Sequence, residues 1–170
     1  MVGVANATNI PQETDPKNYP TVWTELVYSA TNIATGMVVV WDFDTSDSDA
    51  GSVYDDMCPW VKVSATADSV WTAGVTTIGK VGGTYAIQAG SIGRIIIKGP
   101  APVHNNGTAA TVNTICASTS AGYVGVNTPS TDTASLGVVI KASAAGNDVE
   151  ADLGANSSLI YIDPTLNPSS

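Results

Sequence analysis

An all-β fold, a small barrel or a two-sheet sandwich carrying an extended N-terminal arm, is what this sequence predicts, and three observations predict it. Short segments rich in Val, Ile, Thr, Tyr and Trp recur from Trp60 onward, with turn chemistry roughly every eight to twelve residues. The connectors Gly82-Gly83, Asn105-Asn106-Gly107, Gly146-Asn147-Asp148 and Gly154-Ala155-Asn156 all tolerate the left-handed backbone that tight turns need. No long stretch shows a 3.6-residue apolar period, and Leu, Glu and Lys, the residues of long helices, are scarce.

Taken in order, residues 1–20 carry three prolines and no period, so they read as an arm that orders only by lying on something else. Residues 21–60 form a β extension. Within it Thr21–Ala30 alternates loosely, as a short strand or a single helical turn, and Gly36 opens a strand over Met37–Asp44. There Val38 and Val40 face one way, and Val39 and Trp41 the other. Asp42–Asp56 then holds six of the fifteen acidic residues with no basic residue among them. The main domain spans 61–164, and its candidate strands are Trp60–Ala65, Ser69–Ile78, Thr84–Ala89, Ile92–Lys98, Val112–Ala117, Tyr123–Val126, Leu136–Ala142, Val149–Leu153 and Leu159–Ile162. Its centre is Val81–Val103, where Gly90 hinges two extended segments. Ile95-Ile96-Ile97 makes an unbroken apolar run that calls for cover on both faces. Gly99-Pro100-Ala101-Pro102 is expected to stop that strand, because proline denies the ladder a donor. Residues 165–170 are a polar tail.

Length and composition narrow the function classes. With 170 residues there is room for one core and a terminal arm. Charged residues are 12%, against about 25% in an average soluble protein, while 44% of the chain is apolar, so neither coiled coil nor general disorder fits. A net charge of −9, with five Lys and one Arg, argues against direct nucleic-acid binding. Few charges and many short polar side chains suit a protein that packs into a larger assembly. No basic-then-apolar leader opens the chain and no run of 18 apolar residues follows, so synthesis in the cytoplasm and no membrane partner are expected.

Candidate chemistry is sparse. His104 is the sole histidine, placed at a loop edge after the prolines, and a surface or interface role is expected of it rather than catalysis, which needs a nucleophile or carboxylate within reach. Cys58 and Cys116 sit in no CxxC and far from His104, so zinc is unsupported and two free, buried thiols are expected. The Asp42–Asp56 stretch departs from the EF-hand pattern, with Ser46 and Asp47 at its fifth and sixth positions. It reads as a solvated acidic loop, a divalent-cation site being the alternative. Trp23, Trp41, Trp60 and Trp71 are expected to fill core or interface, with sugar stacking as the rival. No G-x-S-x-G elbow, P-loop or H-E-x-x-H is present. No catalytic, cofactor-binding or metal residue is therefore assigned, and no enzyme activity is expected.

From about Val61 to Pro164 the order of features resembles the bacteriophage capsid decoration, or head cement, proteins. The phrase Tyr85-Ala86-Ile87-Gln88-Ala89-Gly90-Ser91-Ile92-Gly93-Arg94-Ile95-Ile96-Ile97-Lys98-Gly99 is similar to that family's A-x-x-A-G-x-x-G-x-V-x-V-x-G. Ala121-Gly122-Tyr123-Val124-Gly125-Val126 resembles its short G-x-V strand, Leu136–Ala142 its penultimate strand and Ser158–Ile162 its last. The first sixty residues have no counterpart in its short members. The resemblance implies a small β-barrel or β-tulip for 61–164 and a homotrimer on the outer face of an icosahedral head. It implies the major capsid protein as partner, a virion location, and no cofactor. A tail or fibre module, or a carbohydrate-binding surface module, is the alternative expectation.

Overall fold

In a computed structural model the described residues are 22–42, 58–65, 71–77, 85–105, 115–119, 121–126, 136–141 and 157–163. The predicted arm over 1–20, nearly all of the acidic loop, the candidate strand Val149–Leu153 and the tail over 165–170 lie outside them. The described chain is all-β: β1 (Trp23–Ser29), β2 (Ile33–Ala34), β3 (Val38–Trp41), β4 (Val61–Val63), β5 (Thr72–Thr76), β6 (Tyr85–Ile87), β7 (Ser91–His104), β8 (Ile115–Ser118), β9 (Val124–Val126), β10 (Gly137–Lys141) and β11 (Ser157–Ile162). All their pairings are antiparallel. Of the segment expected as a short strand or a single helical turn, Trp23–Ser29 is a strand. The two-residue β2 has no signature in the sequence.

The fold is organised by β7, whose fourteen residues run through two half-sheets. Up to Lys98 it pairs with β1 on one side, and at Ile95 and Ile96 with β5 on the other; β3 and β4 continue outward from β5. From Gly99 to His104 it pairs with β11, and β10, β8 and β9 follow. Gly99, at φ 108°, is where the strand turns from one half-sheet into the other, a backbone region that side chains other than glycine rarely enter. The expected stop at Gly99–Pro102 is thus corrected: the prolines lie inside the strand. The amide of the next residue of their parity, His104, donates to Gly36 O at 2.9 Å, on the side away from β11. Pro100 and Pro102 share that direction, so β11 loses no ladder bond to their missing N–H groups.

The triple isoleucine is covered on both faces, as its apolar run demands. Ile95 enters one core with Val27, Ile33, Val39, Val61, Ala73, Ala86 and Ile87, and Ile97 packs at that core's margin. Ile96 points the other way, into a second core with Val38, Val75, Ala101, Val103, Cys116, Val124, Leu136, Val139, Ile160 and Ile162. β3 splits likewise, Val38 to one core and Val39 to the other with Trp41 beside it. The small β2–β6 sheet supplies Ile33, Ala86 and Ile87 to the first core. At 25 cal/mol per Å² or so of apolar surface removed from water, these buried branched side chains are the main stabilising term.

Each half-sheet curls until its outermost strands nearly meet. In the first, Tyr28 forms a parallel bridge with Trp60, and its amide donates to Pro59 O at 2.9 Å. In the second, Asn105 bridges Val124, and its Nδ2 donates to Ser158 Oγ at 2.8 Å in a buried position. A single bridge is not a ladder, so neither half is a closed barrel.

Candidate functional site

Two surfaces stand out once the strands are placed. The first is the outer face of the second half-sheet. Register sets Pro100, Tyr161 and Val138 in one row across β7, β11 and β10, and Pro102 beside Leu159 in the next. The inward-facing residues of the same strands, Ala101, Val103, Ile160, Ile162 and Val139, form the second core, so the alternate positions lie on the other face, Pro100, Val138, Leu159 and Tyr161 half-buried there and Pro102 buried. On that face Ile140 is 41% and Tyr123 37% exposed, whereas Val126, 43% exposed, pairs with Cys116 and lies on the core side with Val124, at the rim of the sheet. In these strands from Gly99 onward Lys141 is the only charged side chain. A water-facing sheet of this size ordinarily carries several charges on its outer face; depletion of charge with retention of aromatic and branched side chains is the mark of a buried interface centre.

The second surface is a cleft of about 300 Å³ at the mouth of the first half-sheet. Trp23, Trp41, Ala73 and Ile97 make its apolar part, and Glu25, Thr72, Lys98 and Asp163 its polar part. The strand period puts Glu25 on the same side of β1 as the core residue Val27, and Ile97 on the same side of β7 as Ile95. The cleft is therefore the open end of the first core. Lys98 Nζ lies 3.6 Å from Asp163 Oδ2, while among the described residues no hydrogen bond or ion pair reaches the Glu25 carboxylate.

The single residues of the sequence reading fall as follows. His104 is the last residue of β7 rather than part of a loop edge, because the strand continues through the prolines. It is half-buried against Tyr123, with ring centroids 5.7 Å apart. Burial holds its pKa below the ordinary histidine value, partly opposed by a hydrogen bond to the Thr35 backbone. That environment favours the neutral ring. Both cysteines are free, but only Cys116 is buried; Cys58 is partly exposed, beside Pro59 where the chain enters β4. The Cys116 thiol donates to Gly137 O at 3.3 Å, and burial pushes its pKa up to about 12. Among the tryptophans, Trp60 packs on Tyr28 with ring centroids 4.4 Å apart and planes tilted by 52°, and Trp41 packs against the first core, whereas Trp23 and Trp71 are 58% and 59% exposed. The sequence marked the tryptophans; it could not show that Trp23, Trp41 and Glu25 share one cleft, since that follows from pairings of β1, β7, β5 and β3 across the chain. Among the described residues no group of histidine, cysteine and carboxylate side chains could hold a metal ion, and no helix is long and apolar enough to cross a membrane.

No protein-family model matches the chain, and no curated protein matches it. Among solved structures the chain is similar to the N base of the head fiber protein gp8.5 in bacteriophage phi29, with 10% identity and a TM-score of 0.46 over 85% of this chain and 96% of that one. A likeness at this level transfers no function.

Proposed function

We propose that this chain is a virion structural protein, a capsid decoration or cement protein that binds the outer surface of an icosahedral phage head and stabilises it at capsomer junctions. The observation that carries the reading is the nearly chargeless outer face of the second half-sheet, with Ile140 and Tyr123 exposed at its ends. The sequence resemblance to the decoration family points the same way. The partners proposed are the major capsid protein and two further copies of this chain in a homotrimer.

The mechanism is reinforcement by added interface. Each subunit covers apolar and hydrogen-bonding surface across a joint, and because it binds the assembled shell and not its separated parts, mass action shifts the equilibrium toward the closed particle. A specific contact of this kind needs roughly 1,200–2,000 Å² of buried surface, and icosahedral symmetry repeats the gain at every equivalent joint.

The test is add-back. Heads assembled without the chain are incubated with the purified wild-type protein or with Tyr123→Asp/Ile140→Asp, and occupancy and the shell's opening temperature are measured. Saturable binding that raises the opening temperature, lowered at least about tenfold in affinity by the double variant, supports the reading. Equal binding of both, with circular dichroism confirming that the variant is folded, contradicts it.

A further inference from the structure

We infer that the cleft at the mouth of the first half-sheet is a saccharide site, which takes a single uncharged or amino-bearing pyranose ring, or two, from a glycan. Its apolar part presents Trp23 and Trp41 together, with Ile97 beside them. An indole face carries partial negative charge and the C–H face of a pyranose ring partial positive charge, so the two pack without desolvating the sugar's hydroxyls. Trp23 is 58% exposed on β1, which costs apolar hydration unless something covers it, while Trp41 is held in place by the first core. One aromatic is therefore open to a ligand and the other is pre-positioned.

The polar part supplies what the hydroxyls need. Glu25 is only partly exposed and has no partner among the described residues, so both of its oxygens are available to accept from adjacent hydroxyls in charge-assisted hydrogen bonds. Lys98, whose Nζ lies 3.6 Å from Asp163 Oδ2 and whose side chain is 44% exposed, offers a donor. Two carboxylates against one ammonium leave this cleft negative, on a chain whose net charge is already −9. That field disfavours sialic and uronic acids, phosphorylated polymers and nucleic acid, and tolerates an amino sugar. A volume of about 300 Å³ is at the small end of ligand pockets, which fits one or two rings and not a long chain bound end to end. Open mouths of curled sheets are common places for such sites.

The inference is independent of the capsid reading, because neither residue of Tyr123→Asp/Ile140→Asp lines the cleft. The experiment titrates the full chain with methyl glycosides of neutral hexoses, with glucosamine, and with glucuronic and sialic acids as anionic controls, reading tryptophan emission and side-chain NMR shifts. At least one neutral or amino sugar is expected to bind saturably, with a Kd of roughly millimolar order. Trp23→Ala should abolish that binding, and Glu25→Gln should weaken it at least about tenfold. Both substitutions fall at residues outside the cores, so the fold is retained and a lost signal reports the site. Absence of saturable binding by every neutral and amino sugar, binding that survives Trp23→Ala, or preference for the anionic sugars would overturn the inference.

Discussion

The two cores share one strand, and that arrangement predicts that the halves unfold together. Ile160 is fully buried in the second core and has no contact role in the first. Ile160→Ala removes buried methyl and methylene groups and leaves a void that rigid strands close only partly, a loss of about 2–5 kcal/mol. Against a total stability of about 5–15 kcal/mol this is a large share. With a urea slope of about 2 kcal/mol per molar, the middle of the usual range, the midpoint should fall by roughly 1–2.5 M. The placement of the tryptophans makes the assay selective. All four belong to the first 71 residues and to the first half-sheet or its connections, so their emission reports the first half alone, while far-ultraviolet circular dichroism reports both. If β7 couples the halves, the two transitions coincide in the wild type and shift together in Ile160→Ala. A variant whose circular-dichroism transition becomes biphasic while the tryptophan transition stays in place would refute the coupling.

Other expectations follow from single residues. A Cβ on Gly74 would stand 2.3 Å from Ile96 O and 3.1 Å from its carbonyl carbon, backbone atoms that cannot step aside, so Gly74→Ala should cost about 1–3 kcal/mol or more and show as a lowered urea midpoint. Asn105→Ala removes the buried hydrogen bond to Ser158 beside the Asn105–Val124 bridge. A loss of about 1–3 kcal/mol is expected, with faster amide exchange at Val124. For Cys116 the folded pKa, about 12, is above the ordinary thiol value, so its burial stabilises the fold fully below pH of about 9 and that contribution is lost as pH rises toward 12. In the native protein a thiol reagent should therefore modify Cys58 rapidly and Cys116 only on unfolding. His104 has the opposite sign: its lowered pKa means that its contribution is complete above the ordinary histidine range and declines as pH falls through it, an effect that His104→Gln should remove from a pH series of urea midpoints.

Much of the architecture could be read from residue patterns because strand physics is local. Alternation put Val38 and Val39 on opposite faces, and three successive isoleucines required cover on both, which the two cores supply. Where the reading failed, pairing geometry decided. Gly99–Pro102 carries strong stop signals, yet a strand with a partner on one side only accepts prolines whose missing N–H points to the other. β2, two residues long, has too few positions to show a period and exists because β6 pairs with it. The first sixty residues, without a counterpart in the resembled family, supply β1 and β3, which are integral to the first half-sheet. The cleft was beyond sequence reasoning for the same reason: Trp23, Trp41 and Lys98 are brought together by ladders between distant segments, and no spacing rule encodes that.

The central claim is that the nearly uncharged face of the second half-sheet, with Lys141 its one charge among the described strand residues, seats this chain on a shell. A cryo-electron map of the particle that contains it tests this most directly. The account predicts three-fold clusters of the chain on the outer head surface, with β10 and β11 facing the capsid or a neighbouring copy. Density for the chain in the tail alone, or on the head with that sheet turned to solvent, would contradict it.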